Sequence, residues 1–181
     1  MGLGQPVLEE YHPKTLGNYA AIISRSDERL YARIKDFLEK IGYVGFANID
    51  MKYSKKRDEY YMMEINPRLG RSSFFLRAAG LNMMEVMTED AVYGERKDCL
   101  FLDNTAFWAN VPKNVVFKYV GDESIKNEIK ALIKNKKYMR TLDCKGDSDI
   151  RRVLRIKKYY FGQYRNFKRY YFEKNENGVK K

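Results

Sequence analysis

Apolar residues along this chain recur at two spacings, one typical of strands and one typical of helices. A loose alternation over residues 5–11 and an apolar run over residues 19–23 predict two strands that pair antiparallel. A helix is predicted next, beginning at a cap formed by Ser26 or Asp27 and ending at Gly42. Its apolar side chains recur at helical spacing and share one face: Leu30, Ile34, Phe37, Leu38 and Ile41.

Two further apolar runs, separated by a charged turn, predict a two-stranded antiparallel ribbon. The first run ends at Asp50, the second leads into Glu64 and Asn66, and the turn spans residues 54–58. Because side chains alternate faces along a strand, Glu64 and Asn66 share one face. If Asp50 faces the same way from the partner strand, two carboxylates and one amide oxygen converge.

The rest of the pattern completes an α+β fold with two expected domains. The predicted elements are helices over residues 72–79 and 82–93, strands over 105–111 and 115–120, a helix over 125–133, and a long helix over about 147–172. Residues 1–96 are expected to form an antiparallel sheet flanked by helices. Residues 97–181 are expected to form an appended, small and helix-rich α/β subdomain.

Composition adds one asymmetry to this picture. Hydrophobic residues make up 44% of the chain, which is enough to bury a core. Residues 113–181 hold 20 of the 35 lysines and arginines but only 8 of the 24 acidic residues. Such an imbalance raises the possibility of a nucleic-acid or acidic-surface partner. The aromatic residues between Arg151 and Tyr171 recur near helical spacing, however, which favours a buried helix face over a nucleic-acid surface.

The compartment is inferred from what the sequence lacks. Cys99 and Cys144 lie far apart and match no metal-ligand spacing, so they are interpreted as reduced thiols, with a disulfide left open. The chain has no apolar run of 18 residues and does not open with a signal-peptide pattern. We therefore expect a cytoplasmic protein with no membrane partner.

The ribbon carries the residue types that a metal–phosphate site requires. Two carboxylates and an amide oxygen are hard ligands suited to Mg²⁺, and the guanidinium of Arg68 suits a polyphosphate. Pro67 ends the strand where these groups cluster, and the turn over residues 70–73 with its arginine and hydroxyls suits an anion. The alternative is a solvated rim at the end of an edge strand.

Three short segments also carry a resemblance to a known family: residues 42–46 (Gly-Tyr-Val-Gly-Phe), Asp50, and residues 64–68 (Glu-Ile-Asn-Pro-Arg). Together they resemble the C-terminal half of an ATP-grasp domain. The likeness is greatest to carboxylate–amine ligases of the D-aspartate ligase kind, which are similar to the carbamoyl-phosphate synthase large chain. It covers roughly residues 5–95 and implies that this region is the second lobe of an ATP-grasp fold.

The resemblance implies a role for each matching residue. In the family, the positions of Asp50, Glu64 and Asn66 bind Mg²⁺ (Mn²⁺ is a possible substitute) bridging the phosphates of ATP. The position of Arg68 holds the transferring phosphoryl group or the acyl-phosphate. The turn that follows commonly contacts the carboxylate substrate, and the stretch after the first strand lines the nucleotide cleft. Weaker candidates are therefore Arg71, Ser72 and Ser73 for substrate and Glu9, Glu10 and Asn18 for the cleft.

The implied reaction is ATP-dependent joining of a small carboxylate to an amine, such as that of an amino acid, through an acyl-phosphate. The family's first lobe, which holds ATP from the other side, has no counterpart here, so the chain is expected to be a fragment that is a poor enzyme alone. A homo-oligomer is possible. Two alternatives stay open: a non-catalytic relic of the same fold, and a basic nucleic-acid-binding module, which is less favoured.

Overall fold

The computed structural model describes residues 1–95, 99–143, 146 and 149–172. Within them the chain forms a four-stranded sheet, a separate two-stranded ribbon and six helices. In chain order the elements are β1 (Leu3–Glu9), β2 (Tyr19–Arg25), α1 (Glu28–Lys40), β3 (Asn48–Ser54), β4 (Glu59–Asn66), α2 (Phe74–Ala78), α3 (Met83–Tyr93), β5 (Phe107–Ala109), α4 (Lys113–Tyr119), α5 (Glu123–Lys134), β6 (Tyr138–Arg140) and α6 (Ile150–Tyr170). Antiparallel pairing flanked by helices confirms the α+β class and is consistent with an ATP-grasp lobe.

The four-stranded sheet joins strands from both ends of the chain, in the order β1-β2-β5-β6. The pairs β1–β2 and β2–β5 are antiparallel, and β5–β6 is parallel. Ser24 strengthens the junction of β2 with the start of β5, because its hydroxyl donates to the Asn104 carbonyl (2.7 Å) and accepts from the Ala106 amide (2.8 Å). Both of these bonds span about 80 residues of sequence.

One face of this sheet carries the hydrophobic core. In the register of β2 with β5, Ala21 lies opposite Ala109 and Ile23 opposite Phe107. Side chains directly opposite each other share a face, and all four are buried in one cluster with residues of α4, α5 and α6. The helical members of that cluster are Val115, Val116, Ile129, Leu132 and Phe167. The core therefore depends on the C-terminal third of the chain.

The other face is covered by the short helix α2. Ile22 and Trp108 lie opposite each other on this face. A Cβ atom added to Gly4 would lie 3.0 Å from Ile22 Cγ2 and from the ring of Phe75. A larger residue at this position of β1 would require Ile22 or Phe75 to shift, so Gly4 allows α2 to pack closely. Trp108 lies on the same face, at the edge of the site described below.

Two aspartates cap helices: Asp27, one of the two caps expected for the first long helix, and Asp122, which with Ser124 is the other capping position that the sequence favours. The Asp27 side chain accepts from the Leu30 amide (2.9 Å), and Asp122 accepts from the Ser124 amide (2.8 Å). The long helix was expected from residue 147, and the part that the structure describes begins at Ile150 after Asp149 as N-cap. Residues 147–148 and the polar tail after 172 lie outside the described residues. None of the described helices combines the length and apolar character needed to cross a bilayer.

The strand expected over residues 115–120 is wrong, because this segment lies in helix α4. Its valines and aromatic residues are typical of strands, but strand preference is weak compared with burial. Pro112 is the N-cap of α4, and helical spacing brings Val115, Val116 and Val120 into the core. The short strand β6, over Tyr138–Arg140, was not predicted.

The two-domain division at residue 96 stays a prediction. Strands β2 and β5 come from the two proposed domains, yet they are neighbours in one sheet. Arg25 on β2 also forms a two-pronged ion pair with Glu128 on α5, with Nη2 to Oε2 at 2.9 Å. These hydrogen bonds lower the pKa of the Glu128 carboxyl.

Cys99 is an exposed free thiol, and Cys144 lies outside the described residues.

We predict that Phe167→Ala strongly destabilises the fold. The Phe167 ring is only 1% exposed and packs against the rings of Tyr11 (centroids 5.8 Å apart) and Tyr119 (5.3 Å). Removing a buried phenyl ring costs about 3–5 kcal/mol of unfolding free energy. Denaturant unfolding measures this loss. Phe161→Ala, on the same helix but 62% exposed, is the matched control and should change stability by less than about 0.5 kcal/mol. Equal effects would contradict the described packing of α6.

Candidate functional site

The register of the ribbon brings the expected polar side chains together. Asp50 on β3 lies directly opposite Glu64 on β4, and Asn48 lies opposite Asn66. Since opposite residues share a face and alternate residues of a strand also share a face, all four side chains lie on the same side of the ribbon. In such pairs the Cβ atoms are about 4.5–5.5 Å apart.

A β-bulge follows immediately after this pair. The register shifts between Asp50 and Met51, so that Met51 pairs with Met62 and Met63 has no partner. A bulge bends the strand and changes the direction of the side chains beside it. Here it lies next to the two carboxylates, on the ribbon's turn side, while Pro67 ends β4 on the other side.

Next to the ribbon is a polar cavity of about 310 Å³. Four segments line it: the turn between β1 and β2, the ribbon, the loop after β4, and the end of the four-stranded sheet. The lining residues are Glu10, Gly17, Asn18 and Tyr19; Asn48, Asp50 and Asn66; Arg68, Gly70, Arg71 and Ser72; and Trp108, Asn110 and Thr141.

Two local backbone hydrogen bonds shape the loop after β4. The Arg68 amide donates to the Asn66 carbonyl (2.8 Å), and the Ser73 amide donates to the Gly70 carbonyl (3.1 Å). A Cβ atom at Gly70 would lie 2.8 Å from Asn48 Oδ1, closer than such atoms approach one another. Because Gly70 has no side chain, the loop can pack directly against the Asn48 side-chain amide.

On the sheet side of the cavity, the polar groups are already bonded within the protein. The Trp108 indole Nε1 donates to Thr141 Oγ1 (3.0 Å). The Asn110 side-chain amide donates to the Tyr159 hydroxyl (2.8 Å), which also accepts from the Gln163 amide (2.9 Å). Two residues of helix α6, Tyr159 and Gln163, thus hold the Asn110 side chain in place.

On the ribbon side, the polar groups are not bonded in this way. Among the described residues, no side-chain hydrogen bond or ion pair is found for six of the lining residues: Asn18, Asn48, Asp50, Asn66, Arg71 and Ser72. Polar groups facing a cavity without internal partners are available to water or to a ligand. The cavity also has both charge signs, with carboxylates at Glu10 and Asp50 and guanidinium groups at Arg68 and Arg71.

The Tyr19 hydroxyl, another group in the cavity lining, has a shifted pKa. Burial raises the pKa of its hydroxyl, and the negative charges of Asp50 and Glu9 raise it further. Its phenol therefore stays protonated near Asp50. It is a neutral donor close to the acidic end of the cavity.

Most of the residues expected from the sequence line this one cavity. These are Asp50, Asn66, Arg68, Arg71, Ser72, Glu10 and Asn18. Glu64 is exposed and opposite Asp50, but it is not part of the lining. Neither Glu9 nor Ser73 is part of it. Ser73 precedes a helix of only five residues and makes no capping bond with its side chain, so a helix-dipole contribution to anion binding has little support.

Besides the glycines Gly17 and Gly70, five lining residues were not among the candidates named from the sequence: Tyr19, Asn48, Trp108, Asn110 and Thr141. Asn48 could have been found, because it precedes Asp50 by two residues and therefore shares its face. Trp108 lies on β5 and Asn110 directly follows that strand, but only the pairing of β2 with β5 brings them to the site. No local signal in the sequence indicates that pairing.

The oxygen donors here fit a hard divalent cation. In the part of the chain that the structure describes, no three histidine, cysteine, aspartate or glutamate side chains cluster closely enough to hold a metal ion. Mg²⁺ does not require such a cluster, since it keeps several waters and takes one or two carboxylates along with substrate phosphates. The opposed Asp50 and Glu64, with the amide oxygens of Asn48 and Asn66 beside them, supply that donor set.

Two comparisons with known proteins bear on this site. The family model described as the carbamoyl-phosphate synthase L chain, ATP-binding domain, matches residues 20–92, which include the whole ribbon and the loop after it. A D-aspartate ligase from Enterococcus faecium (strain Aus0004) is 38% identical over 183 aligned residues. The alignment covers 96% of this chain and 42% of that ligase. No solved structure gives a significant match.

The matched chain therefore spans less than half the length of the ligase it resembles. Residues 20–92 contain Asp50, Glu64, Asn66 and Arg68 but not Glu10 or Trp108. Both comparisons confirm the likeness that the sequence indicated: the chain resembles the ATP-grasp ligases, with similarity to a D-aspartate ligase along nearly all of its length.

Proposed function

We propose that this chain is the metal- and phosphate-binding part of an ATP-dependent carboxylate–amine ligase. The observation that carries the proposal is the register of the ribbon, in which Asp50 opposes Glu64 and Asn48 opposes Asn66 beside Arg68 and Arg71. The two comparisons support the same class of enzyme. The reaction it implies has two steps.

In the first step, a carboxylate oxygen of the substrate attacks the γ-phosphorus of ATP. The bond between that phosphorus and the β,γ-bridging oxygen breaks, and ADP leaves. In the second step, the nitrogen of an amine attacks the carbonyl carbon of the acyl-phosphate. The bond to the phosphate oxygen breaks, inorganic phosphate leaves, and the nitrogen loses a proton to give an amide. Both steps need positioning and charge neutralisation more than covalent help from protein.

Asp50 and Glu64, with Asn66 and Asn48 beside them, would hold Mg²⁺ or Mn²⁺. When bound, such an ion neutralises the negative charge of the phosphates. The chain's own contribution is to hold the carboxylates on one face of a short ribbon, next to a bulge and a proline. The neutral Tyr19 phenol near Asp50 adds a hydrogen-bond donor without adding charge.

Arg68 is proposed to hold the transferring phosphoryl group, and Arg71 with Ser72 to hold the carboxylate substrate. A guanidinium presents paired N–H donors that match two oxygens of a phosphate or carboxylate. In the structure Arg68 is exposed, and its only side-chain bond found among the described residues is a long one to the Leu69 carbonyl (3.5 Å). Its guanidinium is therefore little restrained in the absence of an anion. Ser73, Glu9 and Asn18 stay weaker candidates for contacts with substrate or nucleotide.

We propose that the complete enzyme closes this cavity with a second lobe that is not among these 181 residues. The support is that the matched segment is only 42% of the D-aspartate ligase. A carboxylate such as that of aspartate and an amine are the proposed substrates. Glu64 and Arg68 are exposed, so this side of the site is not covered by the described chain, and the chain alone is proposed to bind Mg·ATP without efficient turnover.

The double variant Asp50→Asn with Glu64→Gln is predicted to weaken Mg²⁺-dependent binding of a non-hydrolysable ATP analogue by at least about tenfold. Removing two charged ligands costs more than the 1.4 kcal/mol that a factor of ten represents. Isothermal titration calorimetry at fixed Mg²⁺ measures the change. The matched control is Asp36→Asn with Glu39→Gln on α1, where both carboxylates are exposed. Unchanged affinity in the first variant, with its fold intact, would reject the metal assignment.

Arg68→Ala is predicted to weaken binding of the same analogue by about tenfold, and Arg68→Lys to restore only part of the loss. Lysine keeps the charge but not the paired donors of a guanidinium. Arg57→Ala in the exposed turn of the ribbon is the control, since Arg57 contacts Tyr61 away from the cavity. Full affinity in Arg68→Lys would show that only charge matters at this position. Full affinity in Arg68→Ala would remove Arg68 from the site.

A further inference from the structure

We propose that Glu10 binds the ammonium group of an amino-acid substrate whose carboxylate is held at Arg71 and Ser72. The inference rests on the proposed ligase function and adds to it the chemical class of the substrate: a small amino acid bound as a zwitterion. Glu10 is the one carboxylate in the described chain that is both buried and part of the cavity lining.

Glu10 is held in a rigid position. Its amide donates to the Asn18 carbonyl (2.7 Å), and its carbonyl accepts from the Gly17 amide (3.3 Å). The turn that links β1 and β2 therefore fixes both the backbone amide and the backbone carbonyl of Glu10. The residue is only 3% exposed, and it lines the cavity.

The carboxylate of Glu10 has no internal partner to balance its charge. Within the described residues, neither a hydrogen bond nor an ion pair of its side chain is found. Glutamate is seldom buried unless it is paired. The Glu10 oxygens are not among the described side-chain atoms that are both fully buried and unpartnered, so they face the cavity, where water or a ligand can contact them. Arg68 and Arg71 line the same cavity, yet neither pairs with it. A positively charged group from outside the chain would complete this site.

Two kinds of cation could neutralise the Glu10 carboxylate, a metal ion or an organic ammonium. The described residues contain no group of three acidic, histidine or cysteine side chains within metal-binding reach. Glu10 therefore does not join Asp50 and Glu64 as a third acidic ligand. Glu10 also precedes residues 20–92, the segment that matches the ATP-binding domain. An ammonium, which offers three N–H donors, fits a lone carboxylate, and the side-chain oxygen of Asn18 in the same lining is a further acceptor.

The distribution of charge in the cavity matches a zwitterion. Glu10 lies on the β1–β2 turn, whereas Arg71 and Ser72 lie on the loop after β4, and both segments line one space of about 310 Å³. That volume is at the lower end of the range for ligand pockets, roughly 300–1,000 Å³. A small molecule with opposite charges at its two ends would satisfy both groups at once. A dicarboxylate without an amine would satisfy only the arginine end.

The test compares two probes that differ in one group. D-aspartate, which the name of the matched ligase contains, carries an ammonium, and succinate has the same carbon chain without it. Affinities of the 181-residue chain for each are measured by calorimetry with Mg²⁺ and an ATP analogue present. We expect wild type to prefer D-aspartate by about tenfold or more, which corresponds to about 1.4 kcal/mol. Glu10→Gln should bind both probes about equally.

The controls separate this role from others. Glu39→Gln removes an exposed carboxylate on α1 and should keep the wild-type preference. Arg71→Ala should weaken both probes alike. If Glu10→Gln keeps the preference for D-aspartate, the inference is wrong while the proposed function survives. If Glu10→Gln instead weakens Mg²⁺ binding and affects both probes equally, Glu10 is a metal-site residue and the inference is again wrong.

Wild-type protein that binds neither probe would overturn both the inference and the proposed amino-acid substrate. A second measurement does not depend on the variant folding. In wild-type protein labelled with ¹³C, D-aspartate should shift the side-chain carboxyl resonance of Glu10, and succinate should leave it nearly unchanged. Equal shifts from the two probes would contradict ammonium binding at Glu10.

Discussion

The pairing of Asp50 with Glu64 across a two-stranded ribbon is the constraint on which the rest of the site depends. A slip of one residue in this register would turn the side chains of one strand to the opposite face. The carboxylates and the Asn48–Asn66 amides would then no longer point the same way. The bulge after Asp50 and the proline after Asn66 interrupt the ladder on both sides of the pairs. The regular pairing of the ribbon is thus interrupted on both sides of the segment that carries the proposed metal ligands.

The second wall of the cavity links this local feature to the whole chain. Trp108 and Asn110 reach the site because β5 pairs with β2, and Asn110 is held by Tyr159 from α6. Helix α6 has eight lysines and arginines and no acidic residue between residues 150 and 170. Two of its aromatic rings, Tyr160 and Phe167, are buried, so packing explains part of the composition that suggested nucleic acid. The basic C-terminal segment supports the core and the cavity together.

The sequence predicted those features that depend on residues close together in the chain. The ribbon, its turn, the two capped helices and the shared face of Glu64 and Asn66 follow from periods of two and 3.6 residues and from capping chemistry. Helix α4 was mistaken for a strand because its valines favour strands, and only burial against the sheet decides otherwise. The pairing of β2 with β5 joins residues more than 80 positions apart, and no alternation or spacing encodes it.

The same distinction applies to the site. Residues on the ribbon and its loop were found because they share one short segment, whereas Trp108, Asn110 and Thr141 come from a distant part of the chain. Glu10 was expected only as a weak contact. Its significance comes from burial without an internal partner, which no sequence pattern reveals. The sequence identified chemistry, and the fold determined which groups face the same space.

The central claim is that a divalent cation binds where Asp50, Glu64 and Asn66 meet. Mn²⁺ tests this most directly, because its unpaired electrons broaden the NMR signals of nearby nuclei. The account predicts that, as Mn²⁺ is added with an ATP analogue, the backbone amide signals of Asp50, Glu64 and Asn66 disappear first. Signals from α1, such as that of Asp36, should persist. Broadening no stronger on the ribbon than on α1 would contradict the account.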